Sequence, residues 1–112
     1  MKTFEPSWHL EKTPDELEKI YTAMLPTLRE AARACGYALG LHGSMRRDLD
    51  LIAVPWTKKA VSADTLAHRL CKAACGLRHK RYDWEEKPNG RKATIVPVGM
   101  LTFIDLSVMP KL

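Results

Sequence analysis

The order of predicted elements along the chain indicates an α/β (α+β) fold, with a mixed β-sheet of about five strands and two main helices packed largely on one face. Three observations predict it. Two segments repeat apolar residues at helical spacing. Residues 37–42 and 49–54 are short apolar runs bounded by glycine or proline, and a Pro-Asn-Gly turn separates strand-like stretches in the last third. The length of 112 residues fits one domain, and we expect residues 1–12 to form an N-terminal arm.

The first helix is predicted to begin at Pro14. Thr13 is a favourable N-cap, Pro14 suits the first helical position, and Glu16 completes a capping box. Pro26 is expected to kink this helix or split it in two, because proline cannot donate the helical hydrogen bond. Gly36 is expected to end it. One apolar stripe runs along the helix, formed by Leu17, Ile20, Tyr21, Met24, Leu25, Leu28, Ala31, Ala32 and Cys35.

The first strand is predicted at residues 37–42, as a buried strand, and the second at 49–54, where Pro55 ends it. A second helix is expected from about residue 62 to residue 75, with Ser62 as its N-cap. The remaining strands are expected at residues 81–85, 92–98 and 101–108, and Asn-Gly at 89–90 favours a hairpin turn between the first two of them.

The net charge of +5 permits an anionic partner such as a nucleotide, nucleic acid or acidic protein, although basic residues also occur on ordinary solvated faces. No apolar run approaches the roughly 18–20 residues that span a bilayer, and the N-terminus lacks the apolar core of a signal peptide. The cysteines Cys35, Cys71 and Cys75 are odd in number and lie in apolar surroundings. They are typical of reduced core residues in a cytoplasmic protein; a metal pair at Cys71 and Cys75 is the weaker alternative.

Residues 42–51, HGSMRRDLDL, form the most informative stretch. Side chains at i and i+2 of a strand point to the same face, so Asp48 and Asp50 are expected to project together about 7 Å apart. Two adjacent carboxylates repel each other, and a hard divalent cation with oxygen ligands relieves this repulsion. The pattern predicts a magnesium site beside a small loop that could hold phosphate. The alternative is a strand edge at which the aspartates pair with Arg46 and Arg47.

A third aspartate, Asp105, lies inside the apolar segment TFIDLSV. Strand alternation places it with Phe103 and Ser107 on the more polar face. It is either a solvent-facing residue of a half-exposed strand or a third carboxylate beside Asp48 and Asp50.

These residues resemble the nucleotidyltransferase superfamily, the fold of DNA polymerase beta-like enzymes. Its pattern is an apolar strand ending in Gly-Ser, two acidic residues around one apolar residue on the next strand, and a third acidic residue on a later, neighbouring strand. Gly43 and Ser44 match the first element, Asp48 and Asp50 the second, and Asp105 the third. The resemblance covers most of the chain in element order.

The resemblance implies a minimal enzyme that uses Mg²⁺ or Mn²⁺ to transfer a nucleoside monophosphate from a nucleoside triphosphate such as ATP to an acceptor hydroxyl on a protein, an RNA end or a small molecule. Asp48 and Asp50 would ligate the metal carried by the triphosphate. Asp105 would help to hold a second metal and would orient or deprotonate the acceptor hydroxyl. The implied phosphate-binding residues share the preceding loop: Gly43, Ser44, Arg46 and Arg47.

Two alternatives remain open. The chain could keep this fold as a non-catalytic module that recognises a protein or nucleic acid, which is favoured by the three-residue spacing between Ser44 and Asp48 and by the lack of a second domain. It could also be half of a toxin–antitoxin-like pair, and compact chains of this kind resemble proteins of phage and prophage genomes. His42 could contact phosphate, transfer a proton or be structural. Three aromatic residues could stack on a base or pack in the core: Trp56, Tyr82 and Trp84.

Overall fold

A computed structural model of the chain describes residues 12–74, 81–99 and 102–111. The described helices are α1 (Pro14–Ala34) and α2 (Ala63–Ala73), and the strands are β1 (Tyr37–His42), β2 (Leu49–Pro55), β3 (Glu85–Glu86), β4 (Lys92–Gly99) and β5 (Thr102–Val108). The predicted fold class is therefore confirmed. The predicted N-terminal arm, except its last residue, and Cys75 lie outside the described residues.

The five strands form one mixed sheet in the order β1-β2-β5-β4-β3. Strands β2 and β5 are parallel, while β1–β2, β4–β5 and β3–β4 are antiparallel. Although β2 and β5 lie far apart in sequence, they are neighbours at the centre of the sheet. Their parallel pairing brings the beginnings of the two strands to the same edge.

The hydrophobic core lies between one face of the sheet and the two helices. Alternate strand residues are fully or nearly fully buried there, and helix side chains cover them: Leu49, Leu51, Ala53, Ile104, Leu106 and Val108 from the sheet, with Tyr21, Leu28, Leu66 and Leu70 from the helices. The opposite face carries the intervening residues, including the partly exposed Asp50 and Asp105. Strand β1 was expected to be buried, but it lies at the sheet edge and alternate residues are exposed.

Helix α1 begins with the predicted capping box. The Thr13 hydroxyl accepts a hydrogen bond from the Glu16 amide at 3.1 Å, and the Thr13 amide donates to the Glu16 carboxylate at 2.7 Å. The helix continues through Pro26 as one element of 21 residues, so proline does not split it. Pro26 is exposed, while Leu25 and Leu28 pack in the core on either side of it, and this packing holds the helix together. Neither described helix is long and apolar enough to cross a membrane.

The segment before β3 differs from the prediction of a strand at 81–85, because only Glu85–Glu86 pair with β4. Tyr82 is buried and its ring lies 4.9 Å from that of His68, while the Trp84 indole donates to Asp64 at 3.2 Å. These contacts hold the segment against α2 instead of extending the sheet.

The predicted turn follows at Pro88–Gly90. Asn89 and Gly90 adopt positive φ angles of 66° and 79°, as the Asn-Gly pair indicated.

Candidate metal centre

Three carboxylates converge where the start of β2 lies beside the middle of β5. Asp50 and Asp105 are register partners in the parallel pair, and Asp48 lies immediately before β2. One carboxylate oxygen from each residue can be chosen so that all three lie within 4.8 Å of one another. Carboxylate oxygens at such spacing are suitable ligands for a hard cation. The predicted convergence is observed, and the group could hold a metal ion.

The electrostatics of this cluster disfavour three negative charges. The pKa of Asp105 is raised above its ordinary value, mainly by burial and then by the negative charges of Asp50 and Asp48. His42 and Lys87 oppose this shift. Among the described residues, no ion pair joins any of the three aspartates to a lysine or arginine. A bound cation would therefore relieve repulsion that the neighbouring side chains leave in place.

Gly43 makes the bend that brings the Gly-Ser loop against this cluster. Its φ of +81° lies in the left-handed region, and a Cβ at this position would lie 2.6 Å from Oδ2 of Asp50. Only glycine fits this close approach without displacing the carboxylate. The predicted contact of Gly43 with phosphate stays a prediction; in the structure the bend lies against the Asp50 carboxylate.

The remainder of the loop contacts α1. The Ser44 hydroxyl accepts a hydrogen bond from the Arg46 amide at 3.3 Å, which closes a local turn. Met45 adopts a positive φ of 62°, and the Thr22 hydroxyl on α1 approaches its sulfur at 4.0 Å. The exposed Ser44 is thus next to Gly43 on a short, tightly turned loop.

The two arginines of the loop do not pair with the aspartates in the described structure. Nη1 of Arg46 lies 2.9 Å from both Asp15 and Glu18 on α1, so its guanidinium is directed towards the helix. Arg47 is exposed, and its carbonyl accepts a hydrogen bond from the Tyr21 hydroxyl at 2.9 Å. The alternative pairing of these arginines with Asp48 and Asp50 is therefore not observed, and their contact with phosphate stays a prediction.

Tyr21 connects the backbone segments that carry the first and third aspartates. Its side chain is fully buried, and its hydroxyl donates to the Arg47 carbonyl and accepts from the Phe103 amide at 3.0 Å. Burial raises the pKa of this phenol, with smaller contributions from the charges of Asp48 and Asp50. Sequence analysis assigned Tyr21 only to the apolar stripe of the helix, and a lone tyrosine in such a stripe is the only signal that the sequence offered.

A cavity of about 360 Å³ adjoins the cluster on the face of the sheet opposite the two described helices. Asp105 lines it, and so do two cationic residues from the turn between β3 and β4, Lys87 and Arg91; His42 lines its other side. Neither cationic residue was among the predicted site residues. The signal that could have found them is the segment KPNGR, in which the tight turn brings its two flanking cations together.

Of the three aromatic residues considered for base stacking, two pack against α2. Tyr82 is buried and Trp84 is partly buried with its indole bound to Asp64, which supports packing rather than stacking for both. Trp56 is 59% exposed at the far end of β2, so it is not near the three aspartates.

The chain matches no family model, no curated protein and no solved structure. The resemblance to nucleotidyltransferases consequently rests on the motif residues and on the geometry described above.

Proposed function

We propose that this protein is a minimal nucleotidyltransferase-like enzyme that transfers a nucleoside monophosphate from a nucleoside triphosphate to an acceptor hydroxyl and requires Mg²⁺ or Mn²⁺. The observation that carries the proposal is the convergence of Asp48, Asp50 and Asp105 beside the bend at Gly43. Carboxylates in this chain order, on two adjacent strands and next to a Gly-Ser loop, suit the binding of a metal with a phosphate group.

In this proposal Asp48 and Asp50 hold the cation that accompanies the triphosphate. When bound, the cation supplies positive charge that offsets the charge of the phosphates. Asp105 orients the acceptor hydroxyl and accepts its proton as the oxygen bonds to the α-phosphorus, while the bond from that phosphorus to the β-phosphate oxygen breaks and pyrophosphate leaves. In this proposal the Ser44 hydroxyl and the neighbouring backbone amides bind the outer phosphates.

Calorimetric titration with Mg²⁺, followed by ATP in the presence of Mg²⁺, tests the proposal. We expect wild-type protein to bind both, and we expect Asp48→Asn and Asp50→Asn to lose metal binding. Glu30→Gln is the matched control, since it removes one exposed carboxylate from α1 far from the cluster. Absence of Mg²⁺ binding by the wild type, or unchanged binding by both variants, would reject the proposal. Release of pyrophosphate from ATP then measures the transfer itself.

A second candidate is a non-catalytic module of the same fold that binds a protein or a nucleic acid. It is favoured by Arg46, which forms ion pairs with α1 instead of facing a phosphate at the cluster. Such binding to nucleic acid would weaken with salt and would not depend on Mg²⁺. Titration with a short oligonucleotide at two salt concentrations, using wild type and Asp50→Asn, separates the two candidates. For either function we propose a reducing, cytoplasmic location, supported by Cys35, whose buried thiol forms no disulfide with another described residue.

A further inference from the structure

The cavity beside the aspartate cluster contains two cationic side chains that a single turn places together. The amide of Lys87 donates to the Arg91 carbonyl at 2.7 Å, closing the turn through Asn89 and Gly90. Because this bond fixes the backbone on both sides of the turn, the two side chains enter the cavity from adjacent positions.

Both cationic groups are anchored and retain donors for a ligand. Nη1 of Arg91 donates to the buried Ser107 hydroxyl at 2.8 Å, and Nζ of Lys87 lies 3.2 Å from the exposed Glu85 carboxylate. A guanidinium has five N–H donors and an ammonium has three, so one partner does not exhaust either group. Partly immobilised cations that keep free donors are suited to phosphate recognition.

We propose that this cavity is a phosphate-binding subsite of the metal centre, in which Lys87 and Arg91 bind a phosphate group of a small ligand whose reacting end lies at Asp105. The inference rests on the proposed function and extends it to residues and a ligand class. The volume of about 360 Å³ lies within the ordinary range for small-molecule sites. The phosphate belongs either to the nucleotide or to a phosphorylated acceptor, which share this chemistry.

The charges that line the cavity predict how the metal affects this binding. Besides Asp105, two further acidic residues line the cavity with Lys87 and Arg91: Asp83 and Glu85. Without a cation at the cluster these negative charges repel an incoming phosphate. A divalent cation at the cluster would add positive charge and so favour phosphate binding. Phosphate binding should therefore be stronger when Mg²⁺ is present.

Titration of inorganic pyrophosphate, with the same Mg²⁺ concentration in cell and syringe, tests the subsite. We expect Lys87→Ala and Arg91→Ala each to weaken binding about tenfold or more, as for the loss of a hydrogen bond to a charged group. Lys58→Ala and Arg29→Ala are matched controls, because both residues are exposed and neither lines the cavity. Circular dichroism verifies folding, and Arg91→Lys, which keeps the charge, should recover part of the affinity.

The outcomes distinguish this inference from the proposed function. If wild type binds Mg²⁺ but not pyrophosphate, or if Lys87→Ala and Arg91→Ala bind it as the controls do, the subsite is refuted while the metal site stands. If pyrophosphate binds through Lys87 and Arg91 in a protein that binds no Mg²⁺, the subsite stands and the proposed function fails. Weakened ATP binding in these variants would assign the phosphate to the nucleotide; unchanged ATP binding would assign it to the acceptor.

Discussion

The Tyr21 hydroxyl links the backbone next to Asp48 with the backbone near Asp105. It can be removed with little change in the shape of the side chain. The replacement Tyr21→Phe leaves a buried ring in place but abolishes two hydrogen bonds, to the Arg47 carbonyl and from the Phe103 amide. Arg47 directly precedes Asp48, and Phe103 lies two residues before Asp105. The variant should therefore loosen the placement of two carboxylates as well as lower stability.

The size of the effect follows from the burial of the hydroxyl. Each net hydrogen bond contributes roughly 1 kcal/mol, and the two part-buried backbone groups that lose this partner add a desolvation penalty, so we expect a loss of about 2–4 kcal/mol in the free energy of unfolding. In a domain of about this size each kcal/mol corresponds to roughly 4–8 °C in Tm. Mg²⁺ affinity should fall by about tenfold, as when groups that orient metal ligands are altered.

Thermal unfolding and Mg²⁺ titration of the same samples measure both effects. The matched control is Tyr37→Phe, which removes a buried hydroxyl that donates to the Val61 carbonyl at 2.6 Å at the opposite end of β1. It should lower Tm, by less because one bond is lost, and leave Mg²⁺ affinity unchanged. Mg²⁺ affinity in Tyr21→Phe equal to that of Tyr37→Phe, measured well below both Tm values, would refute the positioning role.

Three further predictions concern the bend, the cluster and the first helix. Gly43→Ala should abolish Mg²⁺ binding measured by calorimetry, because its Cβ would lie 2.6 Å from the Asp50 carboxylate. The control Gly40→Ala, whose Cβ would lie 3.8 Å from the nearest atom, should bind Mg²⁺ normally. Equal Mg²⁺ affinities of the two variants would contradict this account. Because the pKa of Asp105 is raised, this group destabilises the metal-free protein once pH rises above the ordinary aspartate value of 3.8. Asp105→Asn should therefore raise Tm at pH 7 and confer less benefit below pH 3.8; the same Tm difference at both pH values would count against this account. Pro26→Ala should increase the free energy of unfolding in urea by up to about 3 kcal/mol, because it restores a helical hydrogen bond at an exposed position, and no gain would show that the proline is fully accommodated.

Most of the fold could be predicted because its signals are local. The capping box at Thr13 and Glu16 fixes the start of α1, and the Asn-Gly pair fixes the turn before β4. Tertiary contacts determine what the local signals left open. Core packing on both sides of Pro26 keeps the helix continuous, and the contacts of Tyr82 and Trp84 with α2 replace most of a predicted strand.

In the candidate site, too, local patterns were predictable and tertiary contacts were not. Strand alternation predicted that Asp48 and Asp50 point to the same side, and the resemblance implied that Asp105 joins them. The register pairs Asp50 with Asp105, and the three carboxylates converge as expected. The direction of the Arg46 side chain was not predictable, because Asp15 and Glu18 become its neighbours only when the loop packs on α1. The role of Tyr21 was hidden for the same reason, since both of its hydrogen-bond partners belong to other elements.

The parallel pairing of β2 with β5 determines when the candidate metal centre can form during synthesis and folding. A nascent chain that has emerged only as far as β4 contains the glycine bend and two carboxylates, but lacks the third carboxylate and the Phe103 amide that secures Tyr21. Contacts between distant parts of a sequence form late because loop closure costs entropy. High cation affinity would then appear only after the last strand has joined the sheet. During refolding, metal binding would therefore indicate native strand pairing more directly than a measurement of helix content.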